Sequence, residues 1–464
     1  MEAFISDLTG TTMLELVLVS VPIPMGLWLL AEAKALLAGR DKILPPMGLH
    51  DFMLEVLVVL FPAIASMVWP SLNFTVVLSM AFTSLCCRLQ RRHFTASSGE
   101  SGQRTKEHEG MIDPVTNIRA SIMLMTCITI LAYLRFFYPQ VFPRRFAKTE
   151  VFGTGLMDLG VGATIFASGL ASGCRTKPQS RHAELGWSVW RTVVADIASA
   201  AIRAWPLAAL GVSRLLVIKS LGYQEHVSEY GVHWNFFATL FFMRLVVVPM
   251  NRIGPVRLKC YLAIAAICGY QWLLLKGGLS EFIVLSPRDT LFAMNREGVL
   301  GLVGFVAIYY IAEELGSQIK AQREKPNRVS PRFLSKSVAI AARANAILWG
   351  LTLFSEAFIQ QTSRRMMNLT YVLWVCAHSM LMLVLLMVVD SLSFQQPISQ
   401  ILAAINLNMF PVFMAANLAT GAVNMFMRTL DADTPTAIAI LATYAVFLAG
   451  FAVALASRGF TIKV

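Results

Sequence analysis

Charged residues are scarce in this chain. They make up 14% of its 464 residues, whereas hydrophobic residues make up 56%. This balance excludes an ordinary soluble domain and predicts an all-α, polytopic integral membrane protein. About thirteen apolar runs are long enough to cross the hydrocarbon core, which takes roughly 20 residues each as helices. We expect these spans at about 12–37, 51–69, 71–87, 119–138, 151–173, 187–212, 232–250, 257–275, 296–315, 335–358, 368–391, 403–428 and 435–456.

The spans leave little sequence between them. We therefore expect one membrane-embedded domain over residues 1–464, with mobile cytoplasmic loops at about 88–118 and 316–336. The first of these loops contains the polar, Ser/Gly-rich stretch ASSGESGQRTKEHEG, which is typical of a flexible linker.

Cysteine and histidine are also rare, with seven of each. The cysteines lack C-x-x-C spacing and do not combine with histidine in a zinc-ligand pattern. We therefore expect structural thiols and no metal site.

A net charge of +12 does not indicate nucleic-acid binding, because Lys and Arg lie mainly in the loops between apolar spans, as in 88–92 and 320–336. The positive-inside rule makes these loops cytoplasmic, which predicts a lumenal or external N-terminus and a cytoplasmic C-terminus. The first span follows Glu2 and Asp7 without a basic segment, so we expect a retained helix and not a cleaved signal peptide.

The most informative stretch is VFPRRFAKTEVFGTGLMDLGVG, residues 141–162. It sets the cations Arg144, Arg145 and Lys148 on the side opposite the basic loops, where helix anchoring alone does not require them. Arginine binds phosphate bidentately and a desolvated lysine can act in acid–base chemistry, although interfacial snorkelling is the simpler alternative. Asp158 shares a helix face with a glycine stripe at 155, 162 and 169, so it is either catalytic or half of a structural ion pair.

A second polar segment, GYQEHVSEYGVHW, covers residues 222–234 and is also predicted on the lumenal side. It combines Glu225, His226 and Glu229 with Tyr230 and His233. A carboxylate beside a histidine suits the activation of a hydroxyl, whereas the alternative is a polar helix cap with interfacial aromatics. The histidine spacing does not match H-E-x-x-H.

Three weaker features point to the same side. Residues 295–298 (NREG) could form a helix N-terminus that favours anions, and Arg364 and Arg365 could clamp a phosphate. The span at 403–428 carries several polar residues, including Asn417 and Asn424, which indicates a helix facing a polar cavity or a buried hydrogen-bond network.

Five motifs, in order along the chain, resemble the glycosylphosphatidylinositol (GPI) inositol-acyltransferases, the family of fungal GPI-anchored wall protein transfer enzymes and mammalian PIG-W. The motifs are VFPRRFAKTEVFGTGLMDLGVG, YQEHVSEYGVHWNFF, NREG, SRRMMNLTYVLWV and NLATGAVNMFMRTLD. The resemblance implies a multi-pass enzyme of the endoplasmic reticulum membrane that moves a fatty acyl chain from acyl-CoA to the inositol of glucosaminyl-phosphatidylinositol. It also implies that the protein contacts membrane lipids and that it uses no cofactor.

Lys148 matches the lysine of the family's FPRRFAK block, which is thought to act with a preceding aspartate. That aspartate is absent from ILAYLRFFYPQVF, the segment upstream of the block, so an acidic neighbour such as Asp158 or Glu150 would have to replace it, unless the protein is impaired or the sequence is in error there. The catalytic candidates are Lys148, Asp158, Glu225 and His226. The candidates for substrate binding are Arg144, Arg145, His233, Trp234, Arg296, Arg364, Arg365, Asn417 and Asn424.

Two other classes of function stay open. A lipid or small-solute transporter of the endoplasmic reticulum would also be polytopic, although no internal repeat is apparent in the chain. A non-catalytic scaffold would explain the missing aspartate.

Overall fold

A computed structural model describes residues 8–37, 48–97, 114–133, 141–175, 187–220, 227–323, 331–393, 399–427 and 433–462. Within these residues, eleven helical segments are long and apolar enough to cross a membrane, and two shorter apolar helices cover Val115–Leu131 and Phe236–Met250. Each of the predicted spans overlaps one of these segments. The prediction of an all-α, polytopic membrane protein is therefore confirmed.

The helices, in chain order, are α1 Met13–Ser20, α2 Pro22–Leu37, α3 Leu49–Glu55, α4 Phe61–Val68, α5 Asn73–Ser97, α6 Pro114–Tyr133, α7 Leu156–Arg175, α8 Trp187–Ser220, α9 Val227–Tyr230, α10 Phe236–Met250, α11 Val256–Lys276, α12 Leu279–Val284, α13 Leu291–Met294, α14 Arg296–Arg323, α15 Pro331–Phe358, α16 Leu369–Leu392, α17 Gln400–Leu407, α18 Met409–Phe426 and α19 Thr434–Ser457. A π-helical segment, Val56–Leu60, joins α3 to α4, and short 3-10 turns cover Pro70–Leu72 and Arg144–Phe146.

Several predicted boundaries differ from the structure. The span at 403–428 is two helices, α17 and α18, because the backbone of Asn408 leaves helical geometry at ψ 41°. The span expected from 151 begins only at Leu156, since Gly153 has φ +120° and its N–H donates to the carbonyl of Thr362 at 2.8 Å. That left-handed backbone favours glycine, and residues 151–155 form a loop just before α7.

The two predicted loops are shorter than expected, because helices extend into them. Helix α5 continues to Ser97 and α6 starts at Pro114, while α14 continues to Arg323 and α15 starts at Pro331. The intervening parts of these predictions, 98–113 and 324–330, lie outside the described residues.

The most buried helices form the centre of the molecule. In the membrane-spanning part of α16, 83% of the residues are buried, and in that of α7, 67% are buried. In α5, α8 and α18 only 17% are buried, so these helices present most of their surface outward. Helix α7 packs so closely on α14 that a Cβ atom on Gly169 would lie 2.2 Å from the carbonyl oxygen of Tyr309. The buried position of α7 between α14 and α16 fixes the depth and direction of Asp158 in its first turn.

Candidate functional site

The loop before α7 is fixed by aromatic burial and by backbone pairing. Phe142 and Phe146 are fully buried and their rings meet edge-to-face, with centroids 5.7 Å apart. The hydroxyl of Ser363 donates to the carbonyl of Val151, which joins this loop to the segment before α16. Lys148 is therefore carried on a rigid loop whose ends are both anchored.

Lys148 forms an ion pair with Glu229 of α9, and Arg364 donates to the other oxygen of the same carboxylate at 2.8 Å. Arg364 also lies over the ring of Tyr230, 4.9 Å from its centroid. The side chain of Arg364 is 6% exposed, that of Glu229 is 16% and that of Lys148 is 25%. Three segments that are distant in sequence thus meet at one carboxylate.

Asp158 lies on the inner side of this group and is fully buried. Its Oδ2 accepts hydrogen bonds from the backbone N–H and the hydroxyl of Thr149, both at 3.1 Å. Its Oδ1 lies 3.9 Å from Nε of Arg364, and neither of these two atoms has a hydrogen-bond partner among the described residues. The Tyr371 hydroxyl donates to the backbone carbonyl of Asp158 at 2.7 Å and holds the start of α7 against α16. We call Lys148, Asp158, Glu229 and Arg364 the central cluster.

The electrostatics of the central cluster keep Glu229 ionised. Burial alone would raise the pKa of Glu229, but the charges of Lys148 and Arg364 lower it to about 2. Burial lowers the pKa of Lys148 below its ordinary value, while Glu229 opposes that shift. The site therefore holds a carboxylate that stays negative and a lysine whose proton is easier to remove than usual.

The two arginines near Lys148 differ from each other in exposure and in their contacts. Arg145 is about half-exposed and forms an ion pair with Glu15 of α1, with an N–O distance of 2.7 Å. Arg144 is partly buried in the 3-10 turn. The predicted basic block therefore divides, because Lys148 enters the central cluster whereas Arg145 is paired at the surface.

A second group of charges surrounds Glu297 at the start of α14. Arg288 and Arg365 both donate to its carboxylate. Arg296 is 1% exposed and its guanidinium donates to the backbone carbonyls of residues 283, 286 and 287, with donor–acceptor distances of 2.7 to 3.3 Å. Arg296 thus stabilises the preceding loop. The partly exposed cations of this group are Arg288 and Arg365.

His233 and Trp234 adjoin this second group. The backbone N–H of His233 donates to Oδ1 of Asn295 at 2.8 Å, while its side chain is exposed. Trp234 stacks on Phe242, and its indole N–H donates to the hydroxyl of Thr239.

The remaining predicted site residues of the described region lie on α18. Asn417 donates to the carbonyl of Phe413 within its own helix, and Asn424 lies about two turns further on. Glu225 and His226 lie outside the described residues.

Sequence analysis did not assign roles to Glu229, Thr149, Tyr230 and Tyr371, which complete the site. Glu229 and Tyr230 belong to a segment already noted for its polarity, but nothing in the sequence shows that this segment reaches Lys148. Sequence analysis expected Asp158 or Glu150 to be the acidic partner of Lys148. In the structure this partner is Glu229, because α9 brings its carboxylate to Lys148, whereas Asp158 faces Arg364.

A cavity lies between α1, α2, α6, α7 and α16. Its walls are almost entirely apolar, with one hydrogen-bonded pair, Ser20 and His378, at 3.1 Å. Two of its lining residues, Leu156 and Leu159, lie on either side of Asp158 in α7. The cavity therefore starts at the same helical turn that carries the buried carboxylate.

Comparisons with known proteins give a consistent result. A family model described as GWT1 matches residues 1–455. The chain is similar to GPI-anchored wall transfer protein 1 of Emericella nidulans, with 35% identity over 98% of this chain and 96% of that protein, and to its Aspergillus oryzae counterpart, with 33% identity over the same shares. It is also similar to the phosphatidylinositol-glycan biosynthesis class W protein of Dictyostelium discoideum, with 29% identity over 99% of this chain and 97% of that protein. The chain therefore belongs to the GWT1 family of GPI-anchor biosynthesis.

Proposed function

We propose that the protein is a membrane O-acyltransferase, which moves a fatty acyl chain from acyl-CoA to the inositol of glucosaminyl-phosphatidylinositol in the endoplasmic reticulum membrane. The observation that carries the proposal is the position of the central cluster directly beside a long apolar cavity. One reaction needs both features, because its donor combines a hydrocarbon chain with a thioester and its acceptor is a polyol.

The cavity suits an acyl chain in chemistry and in length. Along α6 its lining runs from Ile118 to Thr129, and eleven residues of helix rise about 16 Å. A chain bound here would bury its methylene groups at about 0.8 kcal/mol each and leave the thioester near the first turn of α7.

The central cluster suits the transfer step. Attack on a thioester carbonyl creates negative charge on its oxygen, and fixed cations in a site of low polarity stabilise that charge strongly. Lys148 and Arg364 supply such cations, and Lys148 is also the residue that matches the family's FPRRFAK lysine. Asp158 is the base candidate within the described residues, and Glu225 and His226, which lie outside them, are the other candidates.

The acceptor carries a phosphodiester, which needs cations near the interface. Arg288 and Arg365, which flank the carboxylate of Glu297, are partly exposed and suit this role better than Arg296, whose donors are occupied by backbone carbonyls. His233 is exposed in the same region.

The test is an assay of the purified protein in detergent with acyl-CoA and glucosaminyl-phosphatidylinositol, with mass spectrometry of the lipid product. We expect a product heavier by one acyl group, and loss of at least about 10²-fold in rate for Lys148→Ala. Lys276→Ala, an exposed lysine at the end of α11, is the matched control and should keep wild-type activity.

Three results would contradict the proposal. Well-folded wild-type protein that leaves the lipid unacylated would exclude the enzyme, and a rescue of GPI synthesis in cells by Lys148→Ala would support a scaffold. Lipid movement across vesicles without acyl-CoA turnover would instead support a transporter.

A further inference from the structure

Two buried polar atoms in the central cluster have no hydrogen-bond partner among the described residues. Oδ1 of Asp158 is an acceptor and Nε–H of Arg364 is a donor, and neither has a hydrogen bond among the described residues. Buried polar atoms are satisfied in the great majority of cases, since leaving one unpaired costs about 1–3 kcal/mol. Both side chains are more than nine-tenths buried, so bulk water does not explain how these atoms are satisfied.

The surrounding contacts hold both groups in place without using these atoms. Thr149 binds the other carboxylate oxygen of Asp158 twice, which leaves Oδ1 directed at Arg364. Glu229 binds a terminal nitrogen of Arg364, and the ring of Tyr230 lies against its guanidinium plane. The rest of the site therefore holds Oδ1 of Asp158, an acceptor, opposite Nε–H of Arg364, a donor.

The separation of the two atoms matches one small ligand group. They lie 3.9 Å apart, which is too far for a direct hydrogen bond but allows one oxygen atom to sit about 2.8 Å from each. That oxygen must accept a hydrogen bond from Arg364 and donate one to Asp158. Only a group that both donates and accepts fits, and a hydroxyl of the acceptor, which would replace a water molecule there, is such a group.

We propose that Asp158 and Arg364 bind the acceptor hydroxyl, with Asp158 as its catalytic base. This inference rests on the proposed function and selects Asp158 from the candidate bases. As the hydroxyl oxygen bonds to the thioester carbon, its proton passes to Oδ1 of Asp158. The carbon–sulfur bond then breaks, and the proton leaves with the thiolate sulfur, so that Asp158 is again a carboxylate.

The geometry around the two residues supports this assignment. Lys148 is the most exposed member of the central cluster, which makes its side the approach for a polar acceptor. Leu156 and Leu159, in the same turn of α7 as Asp158, belong to the wall of the apolar cavity. The helical turn that carries the proposed base thus also lines the proposed acyl-chain site, and the burial of Asp158 shields the hydroxyl position from water, which favours transfer over hydrolysis.

The experiment compares Asp158→Asn with Asp289→Asn, which changes an exposed carboxylate in the loop before α13. Asparagine keeps the shape of the side chain but cannot take the proton. We expect kcat to fall by about 10²- to 10⁴-fold for Asp158→Asn, the usual contribution of a general base, with the KM for acyl-CoA unchanged. The Asp289→Asn control should match the wild type in both constants.

A second variant keeps the proposal testable if Asp158→Asn fails to fold. Arg364→Lys retains the charge beside Glu229 but lacks the Nε–H donor, so we expect kcat/KM for the lipid acceptor to fall about 10- to 100-fold. The control is Arg203→Lys in α8, an exposed arginine whose Nε–H donates to the carbonyl of Ser199 within its own helix. Thermal unfolding in detergent identifies variants that are merely unstable.

The possible failures are distinguishable. A wild-type protein without acyl transfer contradicts the proposed function itself. An active wild type together with a folded Asp158→Asn variant of normal kcat overturns only the role of Asp158. A defect in Asp158→Asn that appears as a higher KM for acyl-CoA, with normal kcat, would show a structural role and also overturn it.

Discussion

Glu229 determines the charge state of the candidate site at the scale of single residues. Its carboxylate binds Lys148 with one oxygen and Arg364 with the other. Two cations near each other in a partly buried site repel, and a shared carboxylate offsets that repulsion. Sequence analysis noted Glu229 only as part of a polar segment, since pairing across 81 positions has no local signature.

We expect Glu229→Gln to lower the pKa of Lys148 further. Burial already holds this pKa below its ordinary value, and Glu229 is the group that raises it. Removing the negative charge therefore moves the alkaline limb of the acylation rate to lower pH. Reactivity of Lys148 toward an amine-selective reagent, followed by mass spectrometry across pH, gives the same pKa without relying on activity.

The control for this prediction is Glu281→Gln, which removes an exposed carboxylate from α12. It should leave the pH dependence of Lys148 unchanged. An alkaline limb that stays in place in Glu229→Gln would show that the two residues are not coupled in solution.

At the scale of elements, α7 connects the candidate site to the rest of the molecule. The glycine stripe at 155, 162 and 169 correctly indicated close packing, but its members meet different partners. Gly155 lies against the carbonyl of Ala147, Gly162 against Tyr371 and Val375 of α16, and Gly169 against the backbone of α14. A sequence pattern shows that small residues line one face of a helix, but it does not show which neighbouring element packs against that face.

We expect Gly169→Ala to destabilise the protein, because its new Cβ would lie 2.2 Å from a backbone oxygen of α14. The two helices would have to separate, and overpacking of this kind typically costs about 1–3 kcal/mol. The matched control is Gly350→Ala in α15, where nothing lies within 4 Å of the added atom.

The measurement is the midpoint of thermal unfolding in detergent for both variants. Gly350→Ala should be neutral or slightly stabilising, since alanine favours a helix over glycine by about 1 kcal/mol. Equal midpoints for the two variants would contradict the close packing of α7 on α14.

At the scale of the whole molecule, buried ion pairs join helices that are far apart in sequence. Lys259 of α11 and Glu313 of α14 are 4% and 2% exposed and lie 2.8 Å apart, and Ser172 of α7 donates to the same carboxylate. The next residue, Glu314, pairs with Arg257, which is 65% exposed. Glu314 itself is 13% exposed, so the two adjacent glutamates differ mainly in their partners, one buried and one in solvent.

We expect Glu313→Gln to lower the free energy of unfolding by about 3–5 kcal/mol, because it leaves the Lys259 charge buried without its partner. Glu314→Gln should cost at most about 1 kcal/mol, as is usual for surface pairs. Denaturation of both variants in the same detergent measures the difference. Similar losses would show that the Lys259–Glu313 pair is more hydrated than its burial indicates.

The sequence by itself determined the class of the protein, the approximate places of its spans and the family it resembles. These follow from local properties, since the hydrocarbon core demands long apolar helices and the motifs are contiguous. It also directed attention to Lys148 and Asp158, because charges beside apolar sequence need a reason.

Only the tertiary structure decided how the charges are paired. It joined Lys148 to Glu229, paired Arg145 with Glu15 of α1, and enclosed Arg296 among backbone carbonyls. It also placed the stretch at 141–162 on the wall of an apolar cavity and set Asp158 opposite Arg364. These contacts depend on which helix faces pack together over long separations in sequence, and hydrophobic spacing along one helix carries no information about its neighbours.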